Sequence, residues 1–471
     1  MINVRFAPSP TGYLHIGSAR IALINYLFAK KSGGKFHLRI EDTDKERSKI
    51  EYINTIYDSL KWLNLDYDSV VIQSENELRH KEVALSMLEK SNAYYCFCSQ
   101  EELEADRLYC TQNGLTPKYN KKCRNLTHEE IEQKMASGVK PVVRIKVPES
   151  ELNEYVEVDD LIKGKSKVCY NDLDDFIILR SNSAPTYMLS VVVDDHDMNI
   201  SHVIRGEDHF TNTFRQIIIY KACGWYIPTF AHVPLILGSD GKKLSKRTGS
   251  ISTFDYKNLG YLPEGLKTYL AIIGTKFNSK NDFDFITNNF NIKNIGKSSS
   301  QFDISILNSV NQNCFKKLDK HYVFEQMIPF IENKINIRLN DENKVMLLNA
   351  YDDITSRTKN LIECSELSTL YFYPDAFDKN TIDKEILEKI ILMGIDYSSP
   401  ATIKHSISEF CKKIIIGINT EPNTNIDNIE LTKILNTLRI ILTGRDNCPN
   451  IYNIMFCIGE KETNNRIANV L

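Results

Sequence analysis

The stretch Arg5-Phe6-Ala7-Pro8-Ser9-Pro10-Thr11-Gly12-Tyr13-Leu14-His15-Ile16-Gly17-Ser18 decides the fold. It begins in a predicted strand, Ile2 to Phe6, which Pro8, Pro10 and Gly12 bring to an end. Beyond it, Gly17 to Lys31 reads as a helix that is apolar nearly all round, as expected of a helix laid on a sheet, and Gly33-Gly34 stops it. A second strand follows at Phe36 to Ile40. Ser48, with Glu51 three residues later, has the capping-box pattern and predicts a helix through Ile56 and Leu60. Strand, helix, strand, helix implies a parallel sheet with its site at the carboxyl ends of the strands. There, backbone N–H groups and the positive end of a helix can hold phosphate. Gly12 and Gly17 would let the backbone approach a ligand closely, and His15 could donate to phosphate oxygens as charge redistributes. The stretch is neither a Walker loop nor a dinucleotide G-x-G-x-x-G. On spacing alone, a proline-rich loop with a solvent-facing histidine describes it equally well.

The whole chain has 471 residues, 42% of them hydrophobic, enough for two to four cores, which excludes disorder as the main state. Lys and Arg total 58 against 61 Asp and Glu, so the net charge of −3 does not announce a nucleic-acid partner, although a local basic face is compatible with it. No apolar run reaches the roughly 18 residues of a membrane span, and Met1 to Phe6 lacks the pattern of a signal peptide. A soluble, cytoplasmic protein with no membrane association is expected. Eleven scattered cysteines, an odd number, do not read as a disulfide framework.

An α/β class with four segments is predicted. A Rossmann-like core occupies 1–90 and 181–240, interrupted at 91–180 by a cysteine-bearing, charge-rich insert; 241–320 completes the first region, and 321–471 is all-helical. In the core, Val191 to Val193 and His202 to Ile204 read as short apolar runs around a turn at Asp194 to Asn199, and Ile217 to Cys223 as a helix. In the last 150 residues Ile386, Leu387, Ile390 and Ile391 keep helical spacing, and Ser399-Pro400 marks a helix start.

A second stretch, Gly238-Ser239-Asp240-Gly241-Lys242-Lys243-Leu244-Ser245-Lys246-Arg247, places four cations within six residues of a glycine-flanked loop. Lys243 and Lys246 could close over a triphosphate while Mg²⁺ bridges its oxygens. Alone, such a run is more often a solvated basic turn.

Together the two stretches resemble the class I aminoacyl-tRNA synthetases, with His15 to Ser18 in place of HIGH and Lys243 to Arg247 in place of KMSKS. The chain resembles most closely the bacterial glutamyl-tRNA synthetase family. RIEDTD at Arg39 to Asp44, PTY at Pro185 to Tyr187, VVDDHDM at Val192 to Met198, HVIRGED at His202 to Asp208 and GYLPEG at Gly260 to Gly265 follow that family. Ser18 replaces the last histidine of HIGH and Leu244 the methionine of KMSKS. Val191 and Met188 stand where many relatives carry asparagine and histidine.

The resemblance implies that L-glutamate attacks the α-phosphate of ATP, held with Mg²⁺, to give glutamyl-adenylate and pyrophosphate. The glutamyl group then passes to the terminal ribose of tRNA(Glu), with charging of tRNA(Gln) left open and a monomeric state suggested. His15, Lys243 and Lys246 take the catalytic positions, and Gly12, Gly17, Ser18 and Ser245 join them around ATP. Arg5, Ser9, Glu41, Tyr187 and Arg205 match the amino-acid pocket. Two carboxylates and an ammonium need guanidinium forks and an acid, which suits these types. Singly, each has a plain alternative: an exposed Arg5–Glu41 ion pair, or a core Tyr187 with its hydroxyl at the surface.

In the insert, Cys96-Phe97-Cys98 and Cys123 make a plausible closed Zn²⁺ site. In some bacterial members of the family a tyrosine four residues before the last cysteine completes such a site, as Tyr119 would here; Cys110 or His128 is the alternative fourth ligand, and buried free thiols the alternative to any metal. The resemblance makes the insert the grip on the tRNA acceptor end. Lys118, Lys121, Lys122 and Arg124 would supply local positive charge, or be a solvated face. It also makes the helical tail the anticodon-binding region, with Arg357 and Lys359 as a basic patch. A glutaminyl enzyme typically reads PPEPNG where this chain has Ala7 to Gly12 and keeps the histidine that Ser18 replaces. The truncated paralogue that modifies queuosine, and small-metabolite nucleotidyltransferases, lack the long helical tail. Retention of His15, Lys243 and Lys246 together argues against a non-catalytic tRNA-binding relative.

Overall fold

The computed structural model describes residues 1–149, 154–238, 240–242, 252–418 and 424–470. Two compact units result: Met1–Tyr256 with Lys267–Ile304, and Lys257–Leu266 with Ser305–Leu471.

The first unit opens with β1 (Asn3–Phe6), α1 (Ile16–Ser32), β2 (Lys35–Ile40), α2 (Ile50–Trp62) and β3 (Ser69–Ile72). β1 and β3 both run parallel to the central β2, with Arg5 opposite His37 and Arg39 opposite Val71. Helix α1 buries Ala19, Leu23, Ile24 and Leu27 and ends where Gly33 turns left-handed at φ 61°. Gly34 is needed for a different reason: a Cβ there would sit 2.4 Å from the carbonyl oxygen of Ile2. The capping box expected at Ser48 does not form. Helix α2 starts one residue later, with Lys49 as its N-cap and no side-chain capping bond. Glu51 is taken instead by the Tyr13 hydroxyl, so its reciprocal bond to the cap is lost.

After α3 (Glu77–Glu89) the parallel pattern gives way to β4 (Ala93–Cys96), α4 (Gln100–Gln112), α5 (His128–Ala136), β5 (Val142–Ile145), β6 (Tyr155–Asp160), β7 (Gly164–Cys169) and β8 (Ile177–Leu179). Here all pairing is antiparallel: β4–β5–β8 form one sheet and β6–β7 a hairpin. Helices α4 and α5 bury none of their residues, and each is opened by a complete capping box, Ser99 with Glu102 and Thr127 with Glu130.

The α/β pattern then returns with α6 (Tyr187–Asp197), β9 (His202–Gly206), α7 (Phe210–Cys223) and β10 (Thr229–Val233), β9 and β10 pairing in parallel. β9 runs beside β1, where Ser201 N–H donates to Asn3 O at 3.0 Å. The valine run 191–193, expected as a short run before a turn, is helical. All three valines are buried within α6, so packing on every side overrides their strand preference. The turn comes later, at Asn199 with φ 54°.

In the second unit every element that begins after residue 319 is helical among the described residues, from Lys320–Ile335 to Ile451–Ala468. Met327, Ile331, Leu347, Ile354 and Ile403 belong to its core. Ser399 Oγ accepts from Thr402 N–H at 3.1 Å and opens Pro400–Ile418, where the sequence placed a start. In Lys384–Ile391, Ile386, Leu387 and Ile390 face the core while Ile391 is exposed. No helix among the described residues is long and apolar enough to cross a membrane.

Candidate active site

The carboxyl ends of β1, β2 and β9 deliver Arg5, Glu41 and Arg205 to one cleft of about 310 Å³, into which the start of α1 brings His15, Gly17 and Ser18. Ser9 and Tyr187 line the same cleft. Gly12 lies outside its lining, and a Cβ on it would meet nothing within 4 Å.

His15 is turned back on its own helix. Its Nδ1 accepts from Ser18 N–H at 3.2 Å as the N-cap of α1, and Nε2 lies 3.0 Å from Ser18 Oγ. Gly17 makes this possible, because a Cβ there would stand 3.0 Å from the imidazole Cε1 and Nδ1. Lys243, Ser245 and Lys246 lie outside the described residues. The chain that follows them returns to this place: Ser252 bridges to His15, and Thr253 N–H donates to Leu14 O at 2.7 Å.

Arg5 and Glu41 are not an exposed ion pair. Both are buried and joined through two residues the sequence reading left without a role, Asp195 and Arg39. Asp195 accepts from Arg5 Nε at 2.9 Å and Nη2 at 3.2 Å, and from Arg39 Nη1 at 2.6 Å. Arg39 in turn holds Glu41 Oε1 with Nη2 at 3.0 Å. Neighbouring Asp194 accepts from Gln73, Asn76 and His80. Burial pushes Asp195 upward, but Arg39 and Arg5 overcome it and hold the carboxyl below the usual range. Glu41 goes the other way, because burial outweighs the opposing Arg39. Among the described residues Arg5 Nη1 and Glu41 Oε2 make no hydrogen bond, which leaves a donor group and an acceptor for a ligand.

Among the described residues no acid pairs with Arg205. Nη2 donates to Gln216 Oε1 at 2.7 Å and Thr213 Oγ1 at 2.8 Å, and Nε donates to His232 Nε2 at 3.1 Å. Nη1 is buried without a partner. On the far side of the ring, His232 Nδ1 is 2.6 Å from Asp160 Oδ2. Tyr187 is half-buried and faces the cleft, with its hydroxyl 3.0 Å from His209 Nδ1. Burial, helped by Arg205, pushes His209 down to about 4, so it is neutral. Met188 and Val191 do not line the cleft; Met188 packs against the core and Val191 is buried. The motifs RIEDTD and VVDDHDM contained Arg39 and Asp195, but nothing in the sequence signalled Asp160 or His232.

The cysteine cluster forms elsewhere in this unit. The sulfurs of Cys96, Cys98 and Cys123 lie within 4.8 Å of one another, with 3.6 Å from Cys98 to Cys123. Tyr119 Oη is 3.3 Å from Cys96 Sγ and 3.6 Å from Cys98 Sγ. Ligands at 2.0–2.3 Å on a tetrahedral zinc stand roughly 3.3–3.8 Å apart, the spacing of Tyr119 Oη from Cys96 and Cys98 and of Cys98 from Cys123. Neither Cys110 nor His128 is part of the cluster; His128 is exposed and lies 3.3 Å from Glu132. The Arg144 guanidinium stacks on the Tyr119 ring at 3.8 Å. The four nearby cations are not bare. Lys118 pairs with Asp172, Lys121 with Glu149, Lys122 with Glu102 and Arg124 with Asp175, so the local positive charge is largely matched. In the second unit, Arg357 shares a shallow cleft with Arg445, and Lys359 N–H caps onto Glu363.

Residues 1–309 match the family model described as tRNA synthetases class I (E and Q), catalytic domain, and residues 322–471 match an anticodon binding domain. The parallel sheet and its cleft are therefore those of a class I tRNA synthetase. Glutamate–tRNA ligase 2 of Ehrlichia chaffeensis is 40% identical, with 99% of this chain and 98% of the relative aligned. Glutamate–tRNA ligase 1 of Beijerinckia indica is 38% identical over 98% of this chain and 97% of its own. A crystal structure of a glutamate tRNA ligase from Elizabethkingia meningosepticum in complex with its amino acid is similar at TM-score 0.84 and 29% identity, covering 100% and 99% of the two chains. The chain belongs to the glutamate–tRNA ligase family.

Proposed function

We propose that this protein joins L-glutamate to the 3′ end of tRNA(Glu) at the expense of ATP, using the cleft between α1 and β9. The observation that carries the reading is Arg205, a buried guanidinium surrounded by neutral acceptors, with Nη1 left over. A buried cation without a counter-ion is costly until an anion meets it. Arg5 and Arg205 then hold the side-chain carboxylate, Glu41 Oε2 receives the ammonium, and Ser9 and Tyr187 add hydroxyls. The α-carboxylate oxygen is left to bond to the α-phosphorus of ATP as the bond to the pyrophosphate oxygen breaks. The ribose hydroxyl of the tRNA then attacks the mixed-anhydride carbonyl and AMP leaves. Gly17 and Ser18 would border the nucleotide, bound as its Mg²⁺ complex, while Gly12 lies outside the cleft lining and Ser245 outside the described residues. His15, Lys243 and Lys246 stabilise charge that grows at the phosphate, so the work is positioning and electrostatics rather than covalent catalysis.

Cys96, Cys98, Tyr119 and Cys123 would hold one Zn²⁺, which supplies a structural cross-link between β4 and the segment before α5. The eleven cysteines, without a disulfide among the described residues, suit a reducing compartment, the cytoplasm. The test is esterification of tRNA(Glu) and tRNA(Gln) with glutamate, ATP and Mg²⁺. Charging of tRNA(Glu) alone supports a discriminating enzyme, and equal charging of both a non-discriminating one. Charging of neither sinks the reading.

A further inference from the structure

Arg205 cannot orient itself. A guanidinium on a flexible stem, buried among neutral groups, points its free nitrogen into the cleft only if its other nitrogens are held. Its Nε donates to His232, so His232 Nε2 must be a bare acceptor, and the ring proton must sit on Nδ1. What keeps it there is Asp160, the last residue of β6. Asp160 Oδ2 is 2.6 Å from His232 Nδ1, while its Oδ1 accepts the backbone N–H groups of Ile162 at 2.9 Å, Lys163 at 2.8 Å and His232 at 3.2 Å. Asp160, His232 and Thr213 are all fully buried, so no water competes for these bonds. We propose that Asp160 and His232 are positioning residues for glutamate: the carboxylate fixes the imidazole tautomer, and the imidazole fixes the guanidinium that receives the substrate. The hold thus comes from the β6–β7 hairpin, outside the cleft itself.

This rests on the glutamate reading of the cleft, and two substitutions separate it from a merely structural role. An asparagine amide reaches the position of Nδ1, so His232→Asn keeps the partner of Asp160 and removes the acceptor for Arg205. A glutamine oxygen reaches the position of Nε2, so His232→Gln keeps that acceptor. In tRNA(Glu) charging at saturating tRNA, with glutamate and ATP each varied while the other is saturating, His232→Asn should raise the KM for glutamate about tenfold or more, with the KM for ATP unmoved and kcat within about threefold. His232→Gln should recover most of the loss. Should His232→Asn not fold, Asp160→Asn decides alone. The three backbone N–H groups retain its oxygen, its amide faces Nδ1, and the ring must carry its proton on Nε2 against Arg205 Nε–H. The glutamate KM should rise by a similar factor. Equal effects of both His232 substitutions, or a fall in kcat with the glutamate KM unchanged in His232→Asn or Asp160→Asn, overturn the proposal. A wild-type protein that does not charge glutamate overturns the reading beneath it instead.

Discussion

Arg5 clasps Asp195 through two nitrogens, Nε at 2.9 Å and Nη2 at 3.2 Å, across 190 residues of chain. The contact ties the carboxyl end of β1 to the last turn of α6 and leaves Arg5 one nitrogen for a ligand. Because Arg39 leans on the same carboxylate at 2.6 Å, two buried guanidiniums depend on one acid.

Asp195→Ala should therefore cost about 3–5 kcal/mol of stability, the range for breaking a buried pair and stranding its partner. Urea unfolding at neutral pH measures it. A loss below about 1 kcal/mol would mean that water or Glu41 replaces the lost acid.

The same carboxyl sets a pH dependence. Its folded pKa lies below the unfolded value near 3.9, so its stabilisation is complete above that value and disappears as pH falls toward the folded pKa. Asp195→Asn should unfold with a shallower loss between pH 5 and the acid limit than the parent. An unchanged slope refutes this assignment.

Gly17→Ala places a methyl group against the imidazole of His15, 3.0 Å from two of its atoms. Charging should drop about 100-fold, the scale of a 1 Å displacement at a reacting centre, while the melting temperature changes little. Parent-like activity would show that the ring need not hold its capped position.

Lys246→Ala, in the stretch outside the described residues, should lower kcat by about 100-fold or more with a small change in the glutamate KM, because its charge is needed chiefly in the transition state. If the KM alone moves, the loop is a binding element.

Metal analysis after extensive dialysis should find about one zinc per chain. Cys123→Ser should lose most of it while the glutamate KM stays near the parent's. Absence of zinc from the parent would reduce the four residues to packing.

What could be read from sequence was local. Strand β1, the proline loop, helix α1 and its glycine stop follow from punctuation within thirty residues, and both Arg5 and Arg205 stood inside motifs. What could not be read was long-range. Asp195 sits 156 residues from Arg39 and Asp160 72 from His232, and no periodicity says which buried acid meets which base. The failed capping box at Ser48 has the same cause, since Tyr13, 38 residues away, claims Glu51. The turn expected from Asp194 falls inside helix α6 as far as Asp197, because the valines before it are buried on every side and β-branched propensity is weak beside that.

The matched cations beside the cysteine cluster bear on how RNA would be met there. A phosphate approaching Lys121, Lys122 or Arg124 finds each already engaged by Glu149, Glu102 or Asp175 and must displace a carboxylate to form its own contact. Each phosphate contact there would replace a carboxylate contact, so the net gain per cation would be smaller than at an unpaired lysine.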